Sequence, residues 1–386
     1  MPDSFTTTST QGFFSRLMSS FVGILLGPLL VIAAIVLLSW NEGRAVQAIR
    51  GLAEASGLVV EAPVDTVSPA NEGKLVHVVG KAEAAQAIAD SDLNLSFDSQ
   101  VAVDRTVEMY AWTEKKEEKT QDNTGGSQTT TTTYTYSKGW TEAPADSSSF
   151  AHPEGHENPQ LPFASHKYTA SDAHLGGYTL DETTVGMIDA PTALNPTAPD
   201  GWSANGANLF KGENAAAPAV GDVRVHYTGL PSGTTVSVLA AQSHGGFTPF
   251  TTSNGYTIHL AHDGNLQAAE MIKQQQQAEA FLTWILRGVG FVVVFIGFAM
   301  FFGPIATLAA VMPFLGSLVR GATTFFAFVL SVPVTLIVIA FAWLAFRPLI
   351  GGGLLIVAAG LGYLLWRWHH SRSAAHVAAT PAPAAH

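Results

Sequence analysis

The sequence contains no cysteine, and it has no aspartate or glutamate from Ala280 to His386. Without cysteine the chain has no disulfide, no thiolate metal ligand and no cysteine nucleophile. Charged residues make up 13% of the 386 residues, and 19 basic side chains stand against 30 acidic ones. A net charge of −11 is opposite to that of a basic nucleic-acid-binding domain, so no nucleic-acid partner is expected.

The acidic residues that are present are concentrated in one stretch. Residues 41–283 hold 29 of the 30 acidic and 13 of the 19 basic residues, which gives this stretch a net charge of −16. Long apolar segments lie on both sides of it. This separation predicts an acidic, water-exposed domain between membrane-spanning segments.

The first apolar segment, Phe21 to Trp40, is twenty residues long and carries no charge. At a rise of about 1.5 Å per residue it is about 30 Å long, which matches the hydrocarbon core of a bilayer. A cleaved signal peptide is the alternative. It fits less well because an interfacial Trp40 and the charged Glu42 and Arg44 follow the segment, and no small-residue cleavage site does.

The C-terminal apolar block is divided by Arg287, Arg320 and Arg347, which predicts three more spans. Pro313 and Gly316 indicate an interfacial connection between the second and third spans. Four spans place both termini on one side of the membrane and residues 41–283 on the other. Basic residues flank the spans equally on the two sides, so charge alone does not set the orientation.

Period-two patterns predict that the domain between the spans is β-rich. Leu75 to Val79 reads as a strand, and Arg105–Trp112 together with Thr129–Ser137 reads as one long hairpin. A disordered Thr-rich linker over 120–133 is the alternative to that hairpin. Amphipathic patterns on both sides predict helical stalks, which we expect to pack together.

The predicted fold class is therefore a multi-pass α-helical membrane protein, with one N-terminal and three C-terminal spans and a large β-rich (α+β) external domain. In chain order the predicted parts are an N-terminal tail (1–20), transmembrane helix 1 (21–40), a β-rich extracytoplasmic domain (41–265) with a helical stalk (44–57), an amphipathic stalk (266–286), transmembrane helix 2 (288–311), an interfacial connection (312–321), transmembrane helix 3 (322–346), transmembrane helix 4 (349–366) and a disordered tail (367–386).

Eight residues are predicted to mark the membrane boundary: Trp40, Asn41, Glu42, Arg44, Arg287, Arg320, Arg347 and Pro348. Arginines at span ends extend to lipid head groups, and they can also select anionic lipids. Apart from these boundary residues, the predicted spans carry no ionisable side chain of the kind on which coupled pumps and proton relays depend. The sequence therefore argues against an acid-coupled transporter.

Two histidine clusters are the only candidates for enzyme chemistry. His152 and His156 flank Glu154, but Pro153 and Gly155 prevent the helical spacing that zinc hydrolases use, so this segment reads as a solvated loop. His259-Leu260-Ala261-His262-Asp263 combines a strand with a turn and is a weaker candidate. There is no Walker phosphate loop, no dinucleotide glycine pattern and no Gly-x-Ser-x-Gly elbow, so we expect no cofactor, no metal and no enzyme activity.

Several short blocks resemble the transmembrane protein 43 family, also called LUMA. The blocks follow one another from near the first span to the last, and they are SFVGILLGPLL (20–30), WNEGRA (40–45), GKLVH (73–77), VEMYAW (107–112), VGDVRV (220–225) and AFRPL (345–349). The resemblance implies four spans and a large domain on the lumenal, topologically external side. It also implies self-association and the organisation of membrane partners, which in animals lie in the endoplasmic reticulum and inner nuclear membrane.

The Ala/Gly-rich composition, the Thr run and the Ala/Pro/His tail indicate a bacterial member of that family, with residues 41–283 in the periplasm and the spans in the inner membrane. If the source is eukaryotic, the domain is lumenal. The function we expect is a non-enzymatic membrane scaffold or sensor whose partners are the lipid bilayer, other copies of itself and membrane proteins or lipids that the sequence does not identify. An oligomeric channel or transport accessory is the alternative, and a membrane-anchored metal-dependent enzyme comes last.

Overall fold

The computed structural model describes residues 3–346, and three of its helices are long and apolar enough to cross a membrane. The helices are α1 Phe13–Leu58, α2 Glu182–Gly186, α3 Ala268–Ala309 and α4 Pro313–Phe346. The predicted fold class is confirmed as apolar helices at both ends with a large β-rich domain. The count of four spans is not confirmed, because the predicted fourth span (349–366), Arg347, Pro348 and the tail (367–386) lie outside the described residues.

Nineteen strands make up the rest of the regular structure that is described. They are β1 Asp3–Gln11, β2 Val60–Glu61, β3 Leu75–Glu83, β4 Ile88–Asp90, β5 Leu95–Phe97, β6 Gln100–Asp122, β7 Gln128–Thr141, β8 His166–Thr169, β9 His174–Leu175, β10 Tyr178–Thr179, β11 Thr192–Leu194, β12 Ser203–Asn205, β13 Asn208–Lys211, β14 Val223–Pro231, β15 Thr234–Ser243, β16 Gly246–Thr248, β17 Phe250–Thr251, β18 Thr257–Ile258 and β19 Leu260–Asp263.

The chain divides into two compact units. The β unit consists of Met1–Gln11, Ala48–Asn123 and Ser127–Ala278, and the helical unit consists of Gly12–Gln47, Thr124–Gly126 and Glu279–His386. In the β unit, one sheet has the order β1-β7-β6-β14-β13-β12, with β11 beside β14 and β8 beside β6. The other has the order β10-β9-β3-β15-β16, with β19 beside β15 and β2 beside β3.

The main hydrophobic core of the β unit draws side chains from both sheets. Val76 of β3 and Val238 of β15 share one buried cluster with Val107 of β6 and Val225 of β14. Each of these side chains is 0% exposed. Burial of a Val or Leu side chain stabilises a fold by about 1.5–3 kcal/mol, so this shared cluster is the main source of stability for the β unit.

A second core lies where the two stalks meet. Leu52 and Ala55 near the end of α1 pack with Met271 and Ile272 near the start of α3. This is the contact between stalks that the amphipathic patterns predict. The two helical ends of the β unit are therefore side by side.

The predicted long hairpin is present, and it is longer than expected. Strands β6 and β7 pair antiparallel without interruption from Met109↔Thr141 to Asp122↔Gln128. The turn uses Gly125 and Gly126 with φ of +86° and +82°, which glycine adopts without steric cost. The alternative of a disordered linker over 120–133 is therefore wrong.

The predicted N-terminal tail (1–20) is also wrong. Asp3–Gln11 forms strand β1, which pairs antiparallel with Gln128–Tyr136 of β7, and α1 begins at Phe13 instead of Phe21. Nine residues rich in β-branched Thr pair readily with a second Thr-rich strand. This ladder does not fit the expected separation of the N-terminal segment from residues 41–283 by a bilayer.

Three helix boundaries also differ from the prediction. Each stalk is continuous with its span, so α1 includes both 21–40 and 44–57, and α3 includes both stalk 266–286 from Ala268 and span 288–311 as far as Ala309. Pro304 lies inside α3 and does not end it. The predicted interfacial connection (312–321) is helical from Pro313, because proline in the first turn of a helix has no amide hydrogen to leave unpaired.

Candidate functional site

Four of the predicted boundary residues come together at one place in the helical unit. They are Asn41, Glu42 and Arg44 of α1 and Arg287 of α3. With Glu279, Thr283 and Trp343 they form a set of contacts among α1, α3 and α4 that we call the polar junction.

The centre of the polar junction is an ion pair between Glu42 and Arg287. The Arg287 Nε donates to Glu42 Oε1 at 2.6 Å, and Nη2 donates to Oε2 at 2.9 Å. The indole Nε1 of Trp343 donates to the same Oε2 at 2.7 Å. Glu42 is only 2% exposed, so its charge is stable there only because three donors surround it.

Arg287 is also held by two aromatic rings. Its guanidinium carbon lies 4.7 Å from the ring centre of Trp284 and 5.8 Å from that of Trp343. A planar guanidinium combines a bidentate carboxylate pair with such stacking, and a lysine ammonium does not. Trp343 therefore contacts both charges of the pair.

A second layer of contacts lies next to this pair. Arg44 pairs with Glu279, and its Nη2 donates to Thr283 Oγ1 at 3.3 Å. The side-chain amide of Asn41 donates to the backbone carbonyl of Thr283 at 3.1 Å. Asn41 is 0% exposed, so this bond fixes α1 against α3 away from water.

Glycines bring the same two helices into backbone contact further along the spans. An added Cβ at Gly27 would lie 2.5 Å from the carbonyl oxygen of Gly297, and one at Gly23 would lie 2.5 Å from that of Met300. Gly23 and Gly27 are four residues apart on one face of α1, in the arrangement that allows close packing of membrane helices. The helix pair is therefore joined by backbone packing in the apolar region and by charge at the junction.

The remaining predicted boundary residues lie elsewhere. Trp40 is 58% exposed beside the junction, as expected for an interfacial side chain. Arg320 lies in the second turn of α4, about 35 Å along the helix axis from Trp343, and its side chain is exposed. Arg320 therefore belongs to the opposite end of its helix. Arg347 and Pro348 lie outside the described residues.

The histidine segment 152–157 is not the solvated loop that its composition indicates. His156 is 2% exposed, and its ring stacks on Tyr136 with ring centres 3.9 Å apart. His156 Nδ1 lies 3.0 Å from the carbonyl oxygen of His152, and it donates to this oxygen because a carbonyl only accepts. Within residues 3–346, no group of three or more His, Asp or Glu side chains is arranged to hold a metal ion.

The second histidine candidate is separate from the first. His259 Nε2 lies 2.9 Å from Thr184 Oγ1, which donates to Asp181. Burial lowers the pKa of His259 and favours its neutral form, while the negative charge of Asp181 acts in the opposite direction. A neutral imidazole on a threonine hydroxyl stabilises the strand–helix contact and has no reacting partner in this geometry.

One buried polar cluster was not among the sequence candidates. Arg105 Nη1 donates to both carboxylate oxygens of Asp90 at 2.7 Å, and the Tyr227 hydroxyl donates to Asp90 at 2.6 Å. Burial alone would raise the pKa of Asp90, but the hydrogen bonds from Tyr227 and Arg105 outweigh it and lower the pKa. The same burial raises the pKa of neighbouring Tyr168 to about 12. The only sequence signal was the charged Arg105 at an inward position between Val103 and Val107.

A family and several named proteins are similar to this chain. A profile of the family Transmembrane protein 43 matches residues 109–348. Transmembrane protein 43 of Mus musculus is 31% identical over 361 residues, and that of Homo sapiens is 30% identical over 360 residues, each match covering 89% of both chains. The Transmembrane protein 43 homolog of Drosophila melanogaster is 29% identical over 354 residues, which is 87% of this chain and 92% of the relative. No solved structure matches the chain. From the profile match and the long alignments, the chain belongs to the transmembrane protein 43 family.

Proposed function

We propose that this protein is a non-enzymatic membrane scaffold or sensor, which organises membrane or protein partners through its β unit and its helix bundle. The observation that carries the proposal is the saturated centre of the polar junction. Both oxygens of Glu42 are engaged by Arg287 and Trp343, which leaves no oxygen of this carboxylate without a donor. A buried ion pair of this kind fixes helices in one arrangement.

The composition of the apolar helices supports the same proposal. From residue 288 to residue 346 the only charged side chain is Arg320 at the start of α4. Pumps and proton relays place ionisable groups along the transport path. A helix bundle with glycine contacts and one locked charge pair is suited to a stable platform.

The proposed partners are the lipid bilayer, further copies of this chain and membrane proteins or lipids of unidentified type. We place the protein in the inner membrane of a bacterium, with residues 41–283 in the periplasm and β1 paired with them. In a eukaryotic cell the same arrangement would place the domain in the lumen of the endoplasmic reticulum or the nuclear envelope.

Co-purification from native membranes tests the function. The protein is crosslinked in membranes, extracted and analysed for bound proteins and lipids. We expect an oligomer with partners in fixed proportion, reduced several-fold by Glu42→Ala and unchanged by the matched control Glu270→Ala, whose side chain is an exposed one on α3. A monomer with bulk lipid alone would overturn the proposal, and ion conductance in reconstituted vesicles would favour the channel alternative.

Cysteine labelling tests the placement. Because the chain has no cysteine, single variants Ala204→Cys in the β unit, Ser4→Cys in β1 and Ser373→Cys in the tail report cleanly with an impermeant thiol reagent. In intact cells we expect labelling at positions 204 and 4 and none at 373. Labelling at 373 without 204 would reverse the orientation.

A further inference from the structure

Strand β1 is the last strand at one side of its sheet, and its edge differs in chemistry from the opposite edge of the same ribbon. We use "the ribbon" for β1, β7 and residues 111–122 of β6, where β7 is the only strand that pairs with β6 among the described residues. The two outer edges of the ribbon therefore belong to β1 and to β6.

The β6 edge is protected against pairing with other strands. Five consecutive charged residues, Lys115 to Lys119, lie along it, and all five are exposed. Lys115 pairs with Glu117 at 2.8 Å, and Lys116 pairs with Glu118 at 2.7 Å. Charged side chains on an edge strand are a common means by which proteins prevent edge-to-edge association.

The β1 edge has no such protection. From Ser4 to Gln11 it contains no charged residue and no proline, and every residue of β1 is exposed. Five of its nine residues are Thr or Phe at strand-favouring positions in the run Phe5 to Thr8 and at Thr10. An edge of this composition is a template for a further strand.

The sequence of β1 is complementary to itself when it is paired antiparallel. With Thr7 at the centre, Thr6 lies opposite Thr8, Ser4 opposite Thr10 and Asp3 opposite Gln11, so no like charges meet. The existing ladder shows that β1 accepts a Thr-rich neighbour, since Thr10 and Thr129 have hydroxyl oxygens 3.4 Å apart across it. A second β1 has the same chemistry as the β7 segment that β1 already pairs with.

We propose that β1 is an interaction surface that pairs antiparallel with β1 of a second copy of this chain, about a two-fold axis at Thr7. The two ribbons then form one sheet of six strands whose outer edges are both the charged β6 edge. The inference deepens the proposed scaffold function by naming one surface for self-association. Confinement of both copies to one membrane raises their effective concentration and favours such pairing.

Disulfide crosslinking in native membranes tests the pairing, and the absence of cysteine makes each variant specific. Thr7→Cys should form a covalent dimer under mild oxidation. Ser4→Cys and Thr10→Cys should crosslink when two tagged chains are co-expressed, and neither should crosslink alone. In the alone case the two Cβ atoms are about 20 Å apart by strand geometry, whereas a disulfide needs about 4 Å.

A charge placed at the axis provides the second arm. Thr7→Lys should reduce the Ser4/Thr10 crosslink at least tenfold, because it places two like charges opposite each other. Thr120→Lys, on the protected β6 edge, is the matched control and should leave the crosslink unchanged. Equal crosslinking of Ser4→Cys alone and of the mixed pair, or no crosslink in any variant, would overturn the strand pairing. If an oligomer still co-purifies in that case, the scaffold proposal stands without this surface.

Discussion

The buried ion pair of the polar junction gives the sharpest test of the structure. Glu42→Ala leaves the guanidinium of Arg287 without its carboxylate and the indole of Trp343 without its acceptor, at a site where Glu42 is 2% exposed. Breaking a buried pair by removing one partner costs about 3–5 kcal/mol. The indole hydrogen left unpaired costs about 1–3 kcal/mol on its own, and part of that overlaps with the first figure. We therefore expect Glu42→Ala to destabilise the helical unit by about 3–5 kcal/mol.

Replacing both charges should be much less harmful. Glu42→Leu combined with Arg287→Met removes the desolvated charges together, and such replacements are often neutral or stabilising in other proteins. The double variant should therefore be more stable than Glu42→Ala by several kcal/mol. A result of this sign distinguishes the loss of a partner from the loss of packing volume.

Equilibrium unfolding of the purified protein in mixed micelles, followed by the helical signal in circular dichroism, measures these differences. Glu270→Ala, whose carboxylate makes only an exposed pair with Lys273 on α3, is the control and should leave the midpoint unchanged. The reasoning fails if Glu42→Ala unfolds with the wild-type midpoint. It also fails if the double variant is as unstable as Glu42→Ala, since the uncompensated charge would then not be the cause.

Two further predictions concern the helix contact and the buried cluster of the β unit. Gly27→Leu should lower the thermal midpoint by several degrees because its Cβ would meet the Gly297 carbonyl at 2.5 Å, whereas Gly288→Leu, with nothing within 4 Å, should not. The pKa of Asp90 is lowered in the folded state, so its contribution to stability is complete above the pKa of an unfolded aspartate, about 3.9, and is lost as the pH falls below it. Asp90→Asn should therefore unfold at a lower temperature than wild type at pH 7, and the difference should shrink towards pH 3 in a thermal scan; a constant difference would contradict the role of the Arg105 pair.

The architecture was predictable wherever a local pattern decides the structure. Twenty uncharged residues from Phe21 and the apolar block after Arg287 determine helices, because only a helix satisfies its own backbone in a bilayer. The alternation in Arg105–Trp112 and the glycine turn at 125–126 determine a hairpin. These features depend on neighbours within a few residues, so the sequence alone is sufficient.

The pairing of β1 was not predictable in the same way. Its residues are polar, so Asp3–Gln11 has no apolar face whose period could be read. It becomes a strand because β7, more than a hundred residues later, offers a Thr-rich edge. A tail and an edge strand of this composition are the same in sequence and differ only in whether a partner strand exists.

The polar junction was half predictable. Glu42 follows one apolar segment directly, and Arg287 precedes another, so in two antiparallel helices the opposite charges reach the same membrane depth. That comparison could have paired them. Trp343 gave no such signal, because it lies near the end of a third helix whose register against the others depends on packing.

The β1–β7 ladder also has a consequence for the order of events during synthesis. Asp3–Gln11 leaves the ribosome before α1, while the strand that receives it is completed only after α1 and the first hundred residues of the β unit. The N-terminal residues must therefore wait, unpaired, in the compartment where β7 will fold. A translocation machinery that released α1 with its N-terminus held on the other side would leave β7 without its neighbour, so the ladder makes the insertion route of the first helix a condition for completing the sheet.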